Sequence, residues 1–271
     1  MAEAVDLDAY FARIGYDGPR EATLETLRAV HALHPAAIAF ENLDPLMRRP
    51  VRIDLDSIQQ KLIQGGRGGY CYELNGLLGH VLRALGFAVT GLSARALFGH
   101  RPGSTPRTHM VLRVVTQDGP YIADAGFGSR TLSAPLSLDQ EGEQMTPHGA
   151  FRLVRDGTHL EEQTLMDGEW RSLYRVSPEE QAQEDYQVCN WYHSTYPQSP
   201  FTNRLMVSRF DGARRIGLFN DQFAIHHPDG RTDRRTLAGP DEIAQVLERD
   251  FAIALPTPRE ELLAALARVL A

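Results

Sequence analysis

Cysteine is scarce in this sequence: Cys71 and Cys189 are the only two among 271 residues. Two thiols cannot build a disulfide framework or a cysteine-rich zinc site, so the local setting of each becomes the question. Positive charge is also in short supply. Lys and Arg number 28 against 35 Asp and Glu, a net charge of −7. Without clustered cations, no nucleic-acid partner is expected. No apolar run approaches the ~18 residues of a membrane span, so no membrane association is expected either. The acidic stretch Met1 to Asp8 lacks the basic-then-apolar pattern of a secretory signal. No His-x-x-x-His or paired-cysteine motif occurs, and His226-His227 is an adjacent pair beside a Pro-Asp-Gly turn, so no metal is expected. Together these absences point to free thiols in a reducing, cytoplasmic compartment.

What is present falls into three stretches. The first reads as helical. Leu7 to Ile14 is a short amphipathic segment, Ala22 to His34 carries Leu24, Leu27, Val30 and Leu33 at helical spacing, and Ile53 to Ile63 is a third candidate. A fourth helix begins near Cys71 and runs to about Leu85. Its Leu74, Leu77, Leu78, Val81, Leu82 and Leu85 fall on one face, and Gly86 is a stop signal.

The period then changes. Phe87–Leu97, Thr108–Val115, Tyr121–Phe127, Phe151–Val154 and Trp170–Val176 are short and β-prone. Asp118-Gly119, Asp156-Gly157 and Asp167-Gly168 punctuate them as hairpin signals. An antiparallel sheet or open barrel is expected, with Pro178 to Pro200 irregular apart from one helix. The last seventy or so residues mix strands (Leu205–Phe210, Ile216–Phe223) with helices (Asp241–Phe251, Pro258–Val269). Helices, then sheet, then a mixed unit is an α+β order. The expected division is 1–87, a helical domain; 88–200, a β-barrel domain with a connecting segment; and 201–271, an α/β lid.

The segment Gly65-Gly66-Arg67-Gly68-Gly69-Tyr70-Cys71 puts a glycine-rich loop directly before the fourth helix. The glycines permit a tight loop and close backbone approach. A thiol in the first helical turn faces free N–H groups and the positive end of the helix dipole, which favour an anion. The same amides suit an oxyanion. Two other readings stand beside this one: a small buried hydrophobe at a helix start, and a phosphate cradle. The Lys-Ser/Thr pair of a P-loop is missing.

A sulfur nucleophile needs a proton partner, usually His. Of ten histidines, His31 and His34 end a helix, where a charged imidazole suits the dipole. His80 is nine residues from Cys71, about 13 Å along the axis. His100, His148 and His159 read as solvated. His193, His226 and His227 lie in the irregular and C-terminal parts. His109 opens a strand, and the next strand carries Asp124 in an otherwise apolar run. A carboxylate there needs a partner. Cys, His and Asp would make a triad. A two-residue turn at Asp118-Gly119 would instead pair Arg113 with Asp124 and leave His109 four residues away, roughly 13 Å. The register alone leaves both pairings open.

At this point the residues resemble the arylamine N-acetyltransferase family. Arg67-Gly68-Gly69-Tyr70-Cys71-Tyr72-Glu73-Leu74-Asn75 is similar to its Arg-Gly-Gly-x-Cys-x-Glu-x-Asn signature. Tyr10-Phe11-x-Arg13-Ile14-Gly15-Tyr16, His34 with Phe40-Glu41-Asn42-Leu43-Asp44, Thr108-His109, and Asp124-Ala125-Gly126-Phe127-Gly128 follow in the family's order. So does Asn190-x-Tyr192-x-Ser194-Thr195-x-Pro197-x-Ser199-x-Phe201. Two departures are Ala39, where Pro is common, and Ala125, where Val is usual.

The resemblance implies a papain-like core: an N-terminal helical bundle, a central antiparallel β-barrel and a C-terminal α/β lid. It implies a Cys71–His109–Asp124 triad that takes acetyl from acetyl-coenzyme A and passes it to an arylamine or hydrazine. Phe40 and Phe127, with Phe201 less directly, would line the acceptor pocket. Thr108 and Gly128 would lie near the coenzyme. Arg67, Glu41 and Glu73 would form an ion-pair network holding the glycine loop. Cys189 belongs to no motif. An amide synthase or cysteine hydrolase could use the same triad, and an inactive binding module could keep the fold. A homodimer is compatible with the sequence.

Overall fold

The computed structural model describes residues 4–101 and 104–270. Helix α1 (Leu7–Ile14) starts where the Asp6 carboxylate accepts the Ala9 N–H, and stops at Gly15 in left-handed backbone. Helix α2 (Leu24–Ala37) is capped in the same way by Thr23. Two single turns follow, α3 (Leu43–Leu46) and α4 (Leu55–Ile58), the latter continuing as a π-helical turn over Gln59–Gln64. Helix α5 (Cys71–Ala84) buries Leu74, Leu77, Leu78, Val81 and Leu82 as its spacing predicts.

Eight strands come next: β1 (Ala88–Ala96), β2 (Arg107–Thr116), β3 (Gly119–Ala123), β4 (Leu136–Ser137), β5 (Gln144–Thr146), β6 (Gly149–Asp156), β7 (His159–Met166) and β8 (Glu169–Glu180). They form one antiparallel sheet in the order β4-β3-β2-β1-β8-β7-β6-β5. The sheet curls until its edges almost meet. Gln144 of β5 stitches the gap: its Oε1 accepts the Ser137 N–H of β4 at 2.8 Å and its Nε2 donates to the Ser137 carbonyl at 2.9 Å. Strand β2 is buried on both faces. Met110, Leu112 and Val114 pack into the core of α1, α2 and α5. Val111 points the other way, into a barrel interior shared with Leu92, Ile122, Phe151 and Tyr174. The site lies along this wall.

The chain continues through α6 (Gln183–Thr195) and α7 (Pro200–Asn203) into a four-stranded meander, β9 (Met206–Asp211), β10 (Arg214–Phe219), β11 (Gln222–His226) and β12 (Thr232–Thr236). Helices α8 (Pro240–Arg249) and α9 (Arg259–Leu270) cover one face of it. Val207, Ile216, Leu218, Phe223, Leu247, Phe251 and Leu262 form that core, joined by Leu43 and Leu46 of α3. The architecture is therefore α+β, with helices, a nearly closed antiparallel barrel and a mixed C-terminal unit. Among the described residues, no helix is long and apolar enough to cross a membrane.

Three local expectations need correction. Strand β7 had no apolar signature, since His159-Leu160-Glu161-Glu162-Gln163 is polar; pairing with β6 on one side and β8 on the other supplies what propensity does not. Ile216–Phe223 is two strands, broken at Asn220, whose φ of 54° suits a turn. The β2–β3 turn lies one residue earlier than Asp118-Gly119 would place it. Thr116 faces Gly119, so Arg113 pairs with Ile122 rather than Asp124.

Candidate active site

That register change moves Asp124 toward His109. Extending the pairing of Leu112 with Ala123 sets Asp124 opposite Val111, two residues from His109 rather than four. Strand β3 also ends at Ala123, and Asp124 leaves the ladder. Its carboxylate Oδ2 accepts the His109 Nε2–H at 2.6 Å. Both side chains are buried, Asp124 completely. The competing pairing with Arg113 is absent, and Arg113 is exposed.

Every remaining polar atom of Asp124 is engaged. Oδ1 accepts the Asn75 Nδ2–H and the Gly126 N–H, each at 2.8 Å. Its N–H donates to His31 Nε2 at 3.1 Å, and its carbonyl accepts the Thr131 hydroxyl at 3.1 Å. Asn75 lies four residues after Cys71 and so shares its helix face. It also donates to the Met110 carbonyl at 2.7 Å and accepts the Ala125 N–H at 2.8 Å. One amide thus ties α5 to β2 and to the Asp124 turn. The i, i+4 relation to Cys71 is a signal that could have marked Asn75 beforehand. Nothing local marked His31 or Thr131.

Cys71 is the first residue of α5 and is 4% exposed. Among the described residues, neither its N–H nor that of Tyr72 donates to a protein acceptor. Two first-turn donors are therefore free beside the sulfur. Gly126 lies against it: a Cβ there would come 2.7 Å from Cys71 Cα, which only glycine avoids. Burial pulls His109 down, but the Asp124 charge, the hydrogen bond to Asp124 and the contact with Cys71 outweigh it. The imidazole is raised to about 10 and is cationic at neutral pH. Burial pushes Asp124 up, yet the His109 charge and the bonds from His109, Asn75 and Gly126 hold it below the usual carboxylate range. With Nε2 on the carboxylate, Nδ1 is the nitrogen left for Cys71.

His31 and His34, expected to be charged at a helix end, are instead fully buried in the core. Burial lowers His31 to about 4 and His34 to about 3, so both are neutral. His148, read as solvated, stacks on Phe210 with ring centroids 3.9 Å apart and bonds to the Gly212 carbonyl.

The glycine loop is held by an ion network. Arg67 reaches Glu41 at 2.7 Å and Asp44 at 3.2 Å, while Lys61 reaches Asp44 and Glu73 at 2.6 Å each. Glu73 Oε2 also accepts the Tyr70 N–H at 3.1 Å, fixing the start of α5. Lys61 and Asp44 complete this network; Asp44 stands in the Phe40–Asp44 motif, while Lys61 carried no sequence signal. Three carboxylates share two cations, and Glu73 shows it. Burial, aided by Asp44 and Glu41, raises it to about 7 despite Lys61. Lys61→Met strips Asp44 of one cation and Glu73 of the only one that reaches it among the described residues. A loss of about 3–5 kcal/mol in urea unfolding is expected, with Lys61→Met/Glu73→Gln recovering part. An unchanged midpoint would contradict this. The loop backbone is tied in as well. Glu41 N–H donates to Gly69 O at 2.9 Å, and Phe40 exchanges hydrogen bonds with Ser208 of β9 at 2.9 and 3.0 Å. A Cβ at Gly68 would come 2.1 Å from the Ala39 carbonyl.

Phe40, Phe127, Phe201 and Gly128 line one cleft of about 390 Å³ between the barrel and β9–β11. Phe127 connects it to His109, their ring centroids 5.0 Å apart. Thr108 does not line this cleft. Its carbonyl accepts the Tyr72 hydroxyl and His193 Nε2–H, and lies 4.0 Å from Cys71 Sγ. Cys189 is half-buried on α6, near the Arg107 carbonyl.

Known proteins resemble this chain over most of its length. A family model described as N-acetyltransferase matches residues 23–260. The arylamine N-acetyltransferase of Escherichia coli (strain K12) is 38% identical over 91% of this chain and 88% of its own. That of Mycolicibacterium smegmatis is 40% identical over 90% of each. The structure of Mycobacterium marinum arylamine N-acetyltransferase in complex with CoA superposes with a TM-score of 0.94 at 37% identity, covering 97% of this chain and 99% of that one. With an N-acetyltransferase family model spanning nearly its whole length, and arylamine N-acetyltransferases at this identity and coverage, the chain belongs to the arylamine N-acetyltransferase family.

Proposed function

We propose that this chain transfers an acetyl group from acetyl-coenzyme A to arylamines, arylhydrazines or arylhydroxylamines, by a ping-pong route through an acetyl-Cys71 thioester. The observation that carries the reading is the buried His109–Asp124 pair, 2.6 Å apart, facing a thiol at the start of α5. The CoA complex of the Mycobacterium marinum relative supports the donor.

In the first half-reaction the Cys71 proton resides on His109 and the sulfur attacks the thioester carbonyl. The oxyanion forms beside the free N–H groups of Cys71 and Tyr72. The carbonyl re-forms, the bond to the coenzyme sulfur breaks, and His109 gives that sulfur its proton. In the second half-reaction the amine nitrogen attacks the acetyl-Cys71 carbonyl and His109 removes the amine proton. Collapse breaks the bond to the Cys71 sulfur, releases the acetylated product and returns the thiolate beside protonated His109. Asp124 stays ionised throughout, holding the imidazole and its charge. Phe40, Phe127 and Phe201 offer aromatic walls to a flat acceptor ring. Gly128 leaves room on the same wall for the donor, and Thr108 lies beside the sulfur.

Acetyl-coenzyme A alone should place one acetyl group on Cys71, seen by peptide mass spectrometry. An added arylamine should discharge it as the N-acetyl product. Discharge to free acetate at the same rate with or without amine would instead mean a hydrolase.

A further inference from the structure

The barrel interior beside the triad holds a second carboxyl. Glu162 sits in β7, opposite Leu153 of β6 and Tyr174 of β8. It is 0% exposed. No Lys or Arg acts on it among the described residues, and its Oε1 has no hydrogen-bond partner there. Its Oε2 shares a short hydrogen bond with the Tyr174 hydroxyl. The Asp124 charge also acts on that hydroxyl, whose hydrogen bond among the described residues is the one to Glu162. The Tyr174 ring packs with its centroid 5.0 Å from that of His109 and 4.9 Å from that of Phe127. The titratable groups acting on Glu162 are thus Asp124 at the end of β3, Tyr174 on β8 and His109 on β2.

The hydrogen-bond count decides the protonation state. Tyr174 has one phenolic proton and two carboxyl neighbours. Asp124 is ionised, since it holds the His109 charge. If Glu162 were ionised as well, the one phenolic proton would have to serve two buried anions. A proton on Glu162 resolves this. The carboxylic acid donates to the Tyr174 oxygen, and the phenolic proton is free for Asp124.

We propose that Glu162 is a positioning residue of the acyl-transfer site: it retains its carboxyl proton and donates it to Tyr174, so that Tyr174 donates to Asp124 and steadies the His109 pair. This rests on the triad roles proposed above. Glu162 touches neither substrate nor sulfur and acts only through Tyr174. Losing its proton turns the phenolic hydrogen back toward Glu162, and Asp124 loses a donor. Burial, reinforced by Asp124, raises Glu162 to about 8. The turn therefore falls near pH 8.

Two measurements on the whole chain test it. In protein labelled with ¹³C at glutamate carboxyls, one resonance should titrate with a midpoint near pH 8 and vanish in Glu162→Gln. Acylation by p-nitrophenyl acetate, which needs no amine, should fall about tenfold between pH 7 and 9 through the same step. Glu162→Gln keeps a donor for Tyr174, so its rate at pH 7 should stay within about threefold of wild type, with the step gone. Glu162→Leu has no donor and should be about tenfold slower at pH 7. On a Tyr174→Phe background, Glu162→Gln should change nothing. A resonance that titrates below pH 6, or a step that survives in Glu162→Gln, overturns the proposal. A wild-type chain that takes no acyl group while the resonance still titrates near pH 8 refutes the acyl-transfer reading and leaves the protonated Glu162 standing.

Discussion

Cys71→Ser should take up no acetyl group from acetyl-coenzyme A and should lose arylamine acetylation by about 10⁴-fold or more. A serine oxygen fits the same space but keeps its proton to far higher pH, so it does not hand that proton to His109 as the thiol does. The helix start, Gly126 contact and ion network are untouched by the change, so the fold should be retained. Circular dichroism and urea unfolding check that arm, and intact mass after incubation with the donor checks the chemistry. An acetylated Cys71→Ser protein, or one with wild-type turnover, would move the nucleophile elsewhere.

Asp124→Asn should cost about 10³- to 10⁴-fold in kcat/KM with little change in shape. The hydrogen bonds around the side chain predict which tautomer error results. Oδ1 receives two donors, from Asn75 and Gly126, so an asparagine there must keep its carbonyl oxygen on that side. Its NH₂ then faces His109 Nε2, which has to become an acceptor. The imidazole proton is forced to Nδ1, the nitrogen that must receive the proton of Cys71. The charge is lost as well, because Asp124 is what outweighs burial in raising His109. Histidine NMR should show the ring neutral at pH 7. The sign of the stability effect follows. His109 is raised on folding, so its contribution is complete below about 6.5 and fades as pH rises toward 10. Asp124 is depressed, so its share is present above about 3.9 and lost in acid. Wild type should lose stability from pH 6.5 to 10 more steeply than Asp124→Asn. Equal slopes, or full activity in the variant, would count against the pair.

Some of this was legible along the chain because it depends on neighbours in sequence. The spacing of Leu74, Leu77, Leu78, Val81 and Leu82 made α5 a one-faced helix with Cys71 in its first turn. The Asp167-Gly168 turn reads directly, both residues having positive φ between β7 and β8. The ordered motifs identified the family without any coordinates. Other features resisted because a long-range balance decides them. The β2–β3 hairpin could close in either of two registers, and only pairing with β1 and burial of Val111 and Ile122 inside the barrel select the one that brings Asp124 near His109. His31 and His34 looked like charged helix ends until tertiary packing removed the water that a charge requires.

By itself, then, the sequence determined that Cys71 lies at a helix start behind a glycine loop, that His109 lies in one strand and Asp124 close to the next, and to which family the chain belongs. These follow from local periodicity and from motif order. Only the tertiary structure decided the partner of Asp124, the clamp made by Asn75, the cations that hold Glu73 and the proton on Glu162. Each of those is an electrostatic balance among groups far apart in the chain, and its outcome depends on which of them the fold shields from water.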